Sequence, residues 1–328
     1  MKFSADTLKL DCAKETEKIC ATLQHLVSRR FKKRGLVVAL SGGIDSSVVG
    51  ALCVRAIGKE RVLGLLMPEQ DSSDDTLGLS RTIADHLGIE TVHTDITNIL
   101  EAVGCYRARN DAVRSVIPEY GDDWKCKILL PSILDDESYR VFSVAVESPS
   151  GETRTERLPT KAYLGILSAT NFKQRVRKML EYYHADRLNY AATGTPNRLE
   201  YDQGFFVKLG DGAADVKPIA HLYKTQVYQL AEYLGVPELI RSRPPTTDTY
   251  SMSQSQEEFY FSLPYDKMDL CLYGKNNSVP LSEIAAATGL SPKQVVQVFA
   301  DIEAKRQSTQ YLHTAPVLME NVPEIGTH

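Results

Sequence analysis

Residues 41–47 read Ser-Gly-Gly-Ile-Asp-Ser-Ser, a run that concentrates backbone freedom, hydroxyl donors and one carboxylate. Gly42 and Gly43 let the chain turn tightly and approach an anion closely. The N–H groups at the start of a following helix would point at that anion, reinforced by the helix dipole. The hydroxyls of Ser41, Ser46 and Ser47 add donors. Asp45 among so many donors would repel a phosphate unless a cation lay between them, so the run implies Mg2+ together with a nucleotide phosphate. The lysine of GxxxxGK[ST] is missing, so this is not a Walker A loop.

Farther along, Lys208 and Lys224 are point charges suited to phosphate oxygens, the plainer alternative for Lys224 being an ordinary solvated cation on a helix. Gly210, Gly212, Ala213 and Ala214 make a turn tight enough to admit a ligand beside Asp215. Phe205 and Phe206 could stack on a flat ring or pack into a core. The six cysteines form no CxxC pair and the seven histidines no HExxH motif. The thiols therefore read as reduced, and no transition-metal site is expected.

These residues need elements to hold them. Residues 36–40 are an apolar run of buried parallel-strand type, and a helix is expected over 46–57. Further strands are expected at 61–67, 90–95 and 188–194, with helices at 8–33, 73–87, 172–183 and 224–234. The basic run at 29–34 reads as cations at a helix C-terminus rather than a phosphate patch. The alternation predicts an α/β fold with a doubly wound parallel sheet, in one domain over residues 1–328. Helices at 281–287 and 291–305 place a C-terminal helical unit across 281–306. Between 105 and 164 the pattern changes to two strands around a Pro-Ser-Gly turn, preceded by acidic pieces. This stretch reads as an inserted β-hairpin subdomain or lid, the alternative being an extended loop.

The last helix pair has the outline of a helix-turn-helix, but 38 basic against 42 acidic residues, net charge −4, argues against nucleic acid. No apolar run approaches the roughly 20 residues of a membrane span. The N-terminus lacks a signal-type apolar stretch, so the cytoplasm is the expected compartment.

Set between a strand and a helix, SGGIDSS resembles the SGGxDS loop of the ATP-pyrophosphatase superfamily, whose members cleave ATP between the α- and β-phosphates. The second half is more particular. It carries NFKQRVRKM (171–179), TGTPNRLE (193–200), GFFVKLGDGAADVKP (204–218) and LYKTQ (222–226), then PPTTD (244–248) and KRQ (305–307). Together these resemble the NAD synthetase family over 35–100 and 168–306. The resemblance implies an adenine-nucleotide-α-hydrolase-like fold. It implies that Asp45 and Glu200 hold Mg2+, and that the loop, Met67, Thr195, Lys224 and Thr246 contact ATP. Arg175, Lys208, Asp215 and Phe205 would bind nicotinic acid adenine dinucleotide. Lys305 would lie on a flexible tail that closes on the reacting phosphates, so that Asp45, Lys224, Asp215 and Lys305 form the catalytic group. The chain departs from the family's usual pattern at Ala304, where a His is usual, at Arg198-Leu199 and at Phe261-Ser262.

The implied reaction is attack of a substrate carboxylate on the α-phosphorus of ATP, then displacement of AMP by ammonia to leave an amide. Asp215 could help deprotonate ammonium. The 34 residues before the loop strand cannot hold a glutaminase domain, so free ammonia or a separate glutaminase subunit is expected. The family resemblance also implies a homodimer. Three other readings are open to the same residues: an ammonia-dependent amide synthetase for a different carboxylate, a tRNA-modifying ATP pyrophosphatase, and a nucleotide-binding regulator without turnover. A basic surface and catalytic cysteines would favour the second; retention of Asp45, Glu200 and Lys224 speaks against the third.

Overall fold

The computed structural model describes residues 3–130, 142–244, 249–252, 254 and 260–324. Strands β1 (Leu36–Ala39), β2 (Val62–Leu66) and β3 (Glu90–His93) lie in one sheet. Strands β4 (Lys125–Leu129), β5 (Ser143–Glu147) and β6 (Thr153–Arg157) form a separate antiparallel sheet. The chain then returns to the first sheet as β7 (Ala191–Ala192), giving the parallel order β3-β2-β1-β7.

Helices α1 (Cys12–His25), α2 (Ile44–Ile57), α3 (Asp74–Leu87), α4 (Thr97–Ala102) and α5 (Cys105–Arg114) occupy the first third of the chain. They are followed by α6 (Thr160–Leu188), α7 (Arg198–Gln203), α8 (Lys224–Tyr233) and α9 (Glu238–Arg241). The C-terminal unit is α10 (Tyr265–Asn276), α11 (Leu281–Thr288) and α12 (Pro292–Thr309).

The sheet is covered on both faces because side chains alternate along each strand. Leu36 and Val38 pack with Leu23 of α1, Val48 and Leu52 of α2 and Val227 of α8. Val37 points the other way, into a cluster with Leu63, Leu65, Leu100, Tyr106 and Val176. That two-sided burial is why β1 and β2 read as unbroken apolar runs rather than alternating ones.

Two elements run beyond their sequence expectation. Helix α6 has 29 residues and begins well before Phe172. Its buried stripe, Ala162, Ile166, Ala169, Lys173 and Val176, repeats at helical spacing, with a lysine where an apolar residue would have advertised the helix. Gly165 lets α5 approach, since a Cβ there would lie 2.9 Å from the Ala112 Cβ. In the 105–164 stretch the expected hairpin is present as β5 and β6, but β4 adds a third strand. Residues 105–114 and 160–164 belong to α5 and α6, which lie against each other. Toward the N-terminus, the first helix ends at His25 and passes into a π-turn, Leu26–Arg30, rather than running on to 33.

Candidate active site

The Ser41–Ser47 run joins β1 to α2, as expected from its neighbours. Gly42 has φ +75°, and a Cβ at that position would stand 2.6 Å from the Leu79 Cβ, so only glycine fits. The loop is braced from within. The Ser46 and Ser47 hydroxyls donate to the Gly43 carbonyl at 3.0 and 2.8 Å, and the Gly43 N–H donates to the Ser41 hydroxyl at 3.3 Å. Ser47 is fully buried and therefore shapes the loop. The loop opens on a cavity of about 1140 Å³, bordered by Ser41, Gly42, Gly43, Asp45 and Ser46. Met67 and Thr195 also line this cavity. Thr246 lies outside the described residues.

Asp45, Glu200 and Lys224, from three separate helices, come together beside the loop. Lys224, fully buried at the start of α8, forms an ion pair with Asp45. Burial alone would lower the Lys224 ammonium, but the Asp45 and Glu200 carboxylates hold it above its usual value. Burial, and next the charge of Asp45, pushes the Glu200 carboxyl up to about 8. Two neighbouring carboxylates in a dry site favour cations.

Asn197 makes the junction. As N-cap of α7 its side-chain oxygen accepts from the N–H groups of Leu199 and Glu200 at 2.9 and 3.2 Å. Its side-chain NH2 donates to Asp45 Oδ1 at 3.1 Å, while its own backbone N–H donates to Glu200 Oε2 at 3.1 Å. The sequence reading passed over Asn197. Its signal was present: Asn-Arg-Leu-Glu is a capping box, a polar cap with a glutamate three residues on.

The expected dinucleotide residues separate into two groups. Arg175, Phe205 and Lys208 border the cavity. The Lys208 ammonium donates to the Tyr311 and Thr314 carbonyls at 2.8 and 3.0 Å, so residues after α12 cross this end of the cavity. Phe205 is stacked on Tyr260 at 4.6 Å and packs against Phe261, which favours the core reading for this ring. Phe206 instead lies against Tyr201 and His313. Asp215 does not border the cavity. Its carboxylate accepts the Ala192 N–H at 2.8 Å and the Tyr182 hydroxyl at 3.3 Å, so it helps hold β7 while the residue stays exposed.

The placement of Lys305 requires a correction. It borders the cavity, but from within α12 and not from a flexible tail. It is buried, paired with Asp301 at 2.8 Å and donating to the Tyr260 carbonyl at 2.5 Å. Among the departures noted from the sequence, Ala304 faces the cavity. Leu199 and Phe261 are core residues with no exposed surface, and Arg198 lies over the Tyr223 ring.

Charged lining that sequence reasoning missed includes Lys178, Glu181 and Asp211. Lys178 donates to Glu181 at 2.6 Å, one turn apart on α6. Burial raises the carboxyls of both Glu181 and Asp211.

The sequence model of the NAD synthase family matches residues 15–115 and 148–315 of this chain. The chain belongs to the NAD synthase family. It is 58% identical over 317 residues to an NH(3)-dependent NAD(+) synthetase of Mesorhizobium japonicum, covering 97% of this chain and 99% of that one. It is 34% identical over 293 residues to the enzyme of the same name from Thermotoga maritima, covering 89% and 95%. Among solved structures, the NH3-dependent NAD synthetase from Campylobacter jejuni superposes with a TM-score of 0.62 at 25% identity, covering 95% of this chain and all of that one. An NMN synthetase from Francisella tularensis superposes at 0.65 with 20% identity over 94% and 99% of the two chains, a likeness of fold. The family match skips 116–147, which holds β4 and β5.

Proposed function

We propose that this chain converts nicotinic acid adenine dinucleotide to NAD, using ATP and ammonia and releasing AMP and pyrophosphate. The observation that carries the reading is the meeting of Asp45, Asn197, Glu200 and Lys224 beside a glycine-rich loop, with Asp45 and Glu200 reaching one large cavity and Asn197 and Lys224 buried behind them. Near-full-length identity of 58% to an NH(3)-dependent NAD(+) synthetase supports it.

Asp45 and Glu200 fit Mg2+, because both are oxygen donors and mutually close, and burial of Glu200 favours a positive neighbour. When bound there, the ion would neutralise charge on the phosphates and on departing pyrophosphate. The remaining roles belong to the protein. The loop N–H groups receive phosphate oxygens, and Lys224 supplies a fixed positive charge behind Asp45. Arg175 and Lys208 offer cations to the dinucleotide pyrophosphate, which requires Lys208 to exchange its carbonyl partners for phosphate oxygens. Asp215 lies outside the cavity lining, so it is not assigned as the general base. The acyl adenylate must be kept from water until ammonia arrives. Leu130 and Phe142 beside the small sheet, and Tyr311 and Leu312 after α12, border the cavity and are placed to shield it.

Pyrophosphate release from nicotinic acid adenine dinucleotide, ATP and ammonium tests this directly. Turnover that requires all three, with glutamine a poor substitute for ammonium, is expected. Turnover confined to a different carboxylate, such as the mononucleotide, would replace the dinucleotide in this scheme. The expected assembly is a homodimer in the cytoplasm, fed by free ammonia or a separate glutaminase. Sedimentation of a fully active monomer at assay concentration would remove the dimer.

A further inference from the structure

Where the cavity wall follows β2 lies a buried network that the mechanism above does not use. Lys173, in the middle of α6, is 1% exposed. Its ammonium donates to Glu69 Oε1 at 2.9 Å, to Asp71 Oδ2 at 2.6 Å and to the Thr249 carbonyl at 2.8 Å, using all three of its donors. The Tyr106 hydroxyl of α5 donates to the other Glu69 oxygen at 2.8 Å, and Arg109 pairs with Asp71. Two cations thus face two carboxylates, each with almost no exposed side chain.

Such a network is a poor way to gain stability, because desolvating four charges offsets much of their attraction. It is a good way to hold several segments in one arrangement, because each misplacement strands a buried charge. The segments it joins are informative. Glu69 and Asp71 sit just after Met67 and Pro68, which wall the cavity at the end of β2. Thr249, itself lining the cavity, opens the segment whose Ser251, Met252 and Gln254 hydrogen-bond the backbone of β4. On α6, Lys173 lies between Asn171 and Gln174, which also line the cavity.

We propose that Lys173 is a positioning residue for the nucleotide. It fixes the loop after β2 and the segment beginning at Thr249 at one separation across α6, so that the cavity is already shaped when ATP enters. A preorganised wall lowers the cost of binding. The proposal rests on the reading that this cavity takes ATP.

The test is Lys173→Met and Lys173→Arg in the full chain, with kcat, the KM for each substrate, and ATP affinity by calorimetry. Lys173→Met should raise the KM and Kd for ATP roughly tenfold, with kcat and the dinucleotide KM changed less than about twofold. Lys173→Arg should recover most of the loss. A merely structural role would lower the active fraction and leave the KM for ATP unchanged. That result in a folded Lys173→Met, or an arginine variant no better than methionine, overturns the proposal. Should Lys173→Met fail to fold, Tyr106→Phe removes one bond to Glu69 without stranding a charge. It should raise the Kd for ATP about two- to threefold, and an unchanged Kd overturns the proposal. Wild-type protein that binds ATP but does not turn over the dinucleotide would count against the proposed reaction. The calorimetric comparison would still decide the role of Lys173.

Discussion

Asp45 is the residue on which the site converges. It faces Lys224, accepts from Asn197 and raises the neighbouring Glu200 carboxyl. Replacing Asp45 with Asn or Glu200 with Gln removes one negative donor for a divalent ion and leaves shape nearly unchanged. Pyrophosphate release should fall about a thousandfold, since losing several kcal/mol of charge stabilisation costs about that much in rate. Circular dichroism should show an intact fold, and wild-type turnover in either variant would sink the Mg2+ assignment. Asp269 gives a second prediction. Fully buried, it accepts the Thr225 N–H at 2.7 Å and the Lys224 N–H at 3.3 Å at the start of α8. Burial pushes its carboxyl up to about 6, against 3.8 for the free group. The folded state therefore holds a proton that the unfolded chain has released. Stability from this group is full below pH 4 and is lost as the pH rises through about 6, on the order of 3 kcal/mol. Urea unfolding should show that loss in the wild type and not in Asp269→Asn. Parallel pH curves for the two proteins would refute it.

The strand–loop–helix unit of β1 and α2 is the element that presents phosphate donors. Its geometry hangs on Gly42, at positive φ and pressed against Leu79 of α3. Gly42→Ala should lose ATP binding in calorimetry and lower the melting temperature, because it adds left-handed strain of about 1–2 kcal/mol and a close overlap. An alanine variant that binds ATP normally would mean the loop is less constrained than its packing shows. Helix α12 supplies the contrasting case. Ser291 caps it, accepting the Gln294 N–H at 3.3 Å. Ser291→Ala should cost about 1 kcal/mol in unfolding measurements while leaving the KM for ATP unchanged. A shifted KM would show that α12, which carries Lys305, tunes the site through its register.

At the scale of the whole molecule, one sheet and its helices are joined by a second small sheet that lends Leu130 and Phe142 to the cavity. The Phe142 ring is stacked on Tyr163 of α6 at 4.1 Å, tying that sheet to the helix that runs the length of the site. We propose that this part of the molecule excludes water. Replacing 116–147, the stretch outside the family match, with a short linker should leave adenylation possible, raise the KM for ATP because β4 braces the segment at Thr249, and raise ATP hydrolysis that yields no amide. Loss of ATP binding in a folded deletion variant would make the stretch part of the catalytic core instead. Among the described residues no helix is long and apolar enough to cross a membrane, and all six cysteines are free thiols.

Much of this was written in contiguous sequence. The glycine turn between β1 and α2, the parallel strands and membership of the NAD synthase family all follow from short strings, because a tight strand-to-helix turn and a strand buried on both faces each leave a local signature. The tertiary structure decided the rest. Asp45 and Asn197 lie 152 residues apart, and Lys173 and Glu69 lie 104 apart, so no local pattern pairs them. Lys173 stands in a string rich in charged residues and is buried; Asp215, a ligand by resemblance, also holds the backbone of β7. Lys305 reads as a tail residue and is held inside a helix. A charged side chain carries no mark of its partner, and whether it meets substrate, solvent or another buried charge is settled only when distant segments pack together.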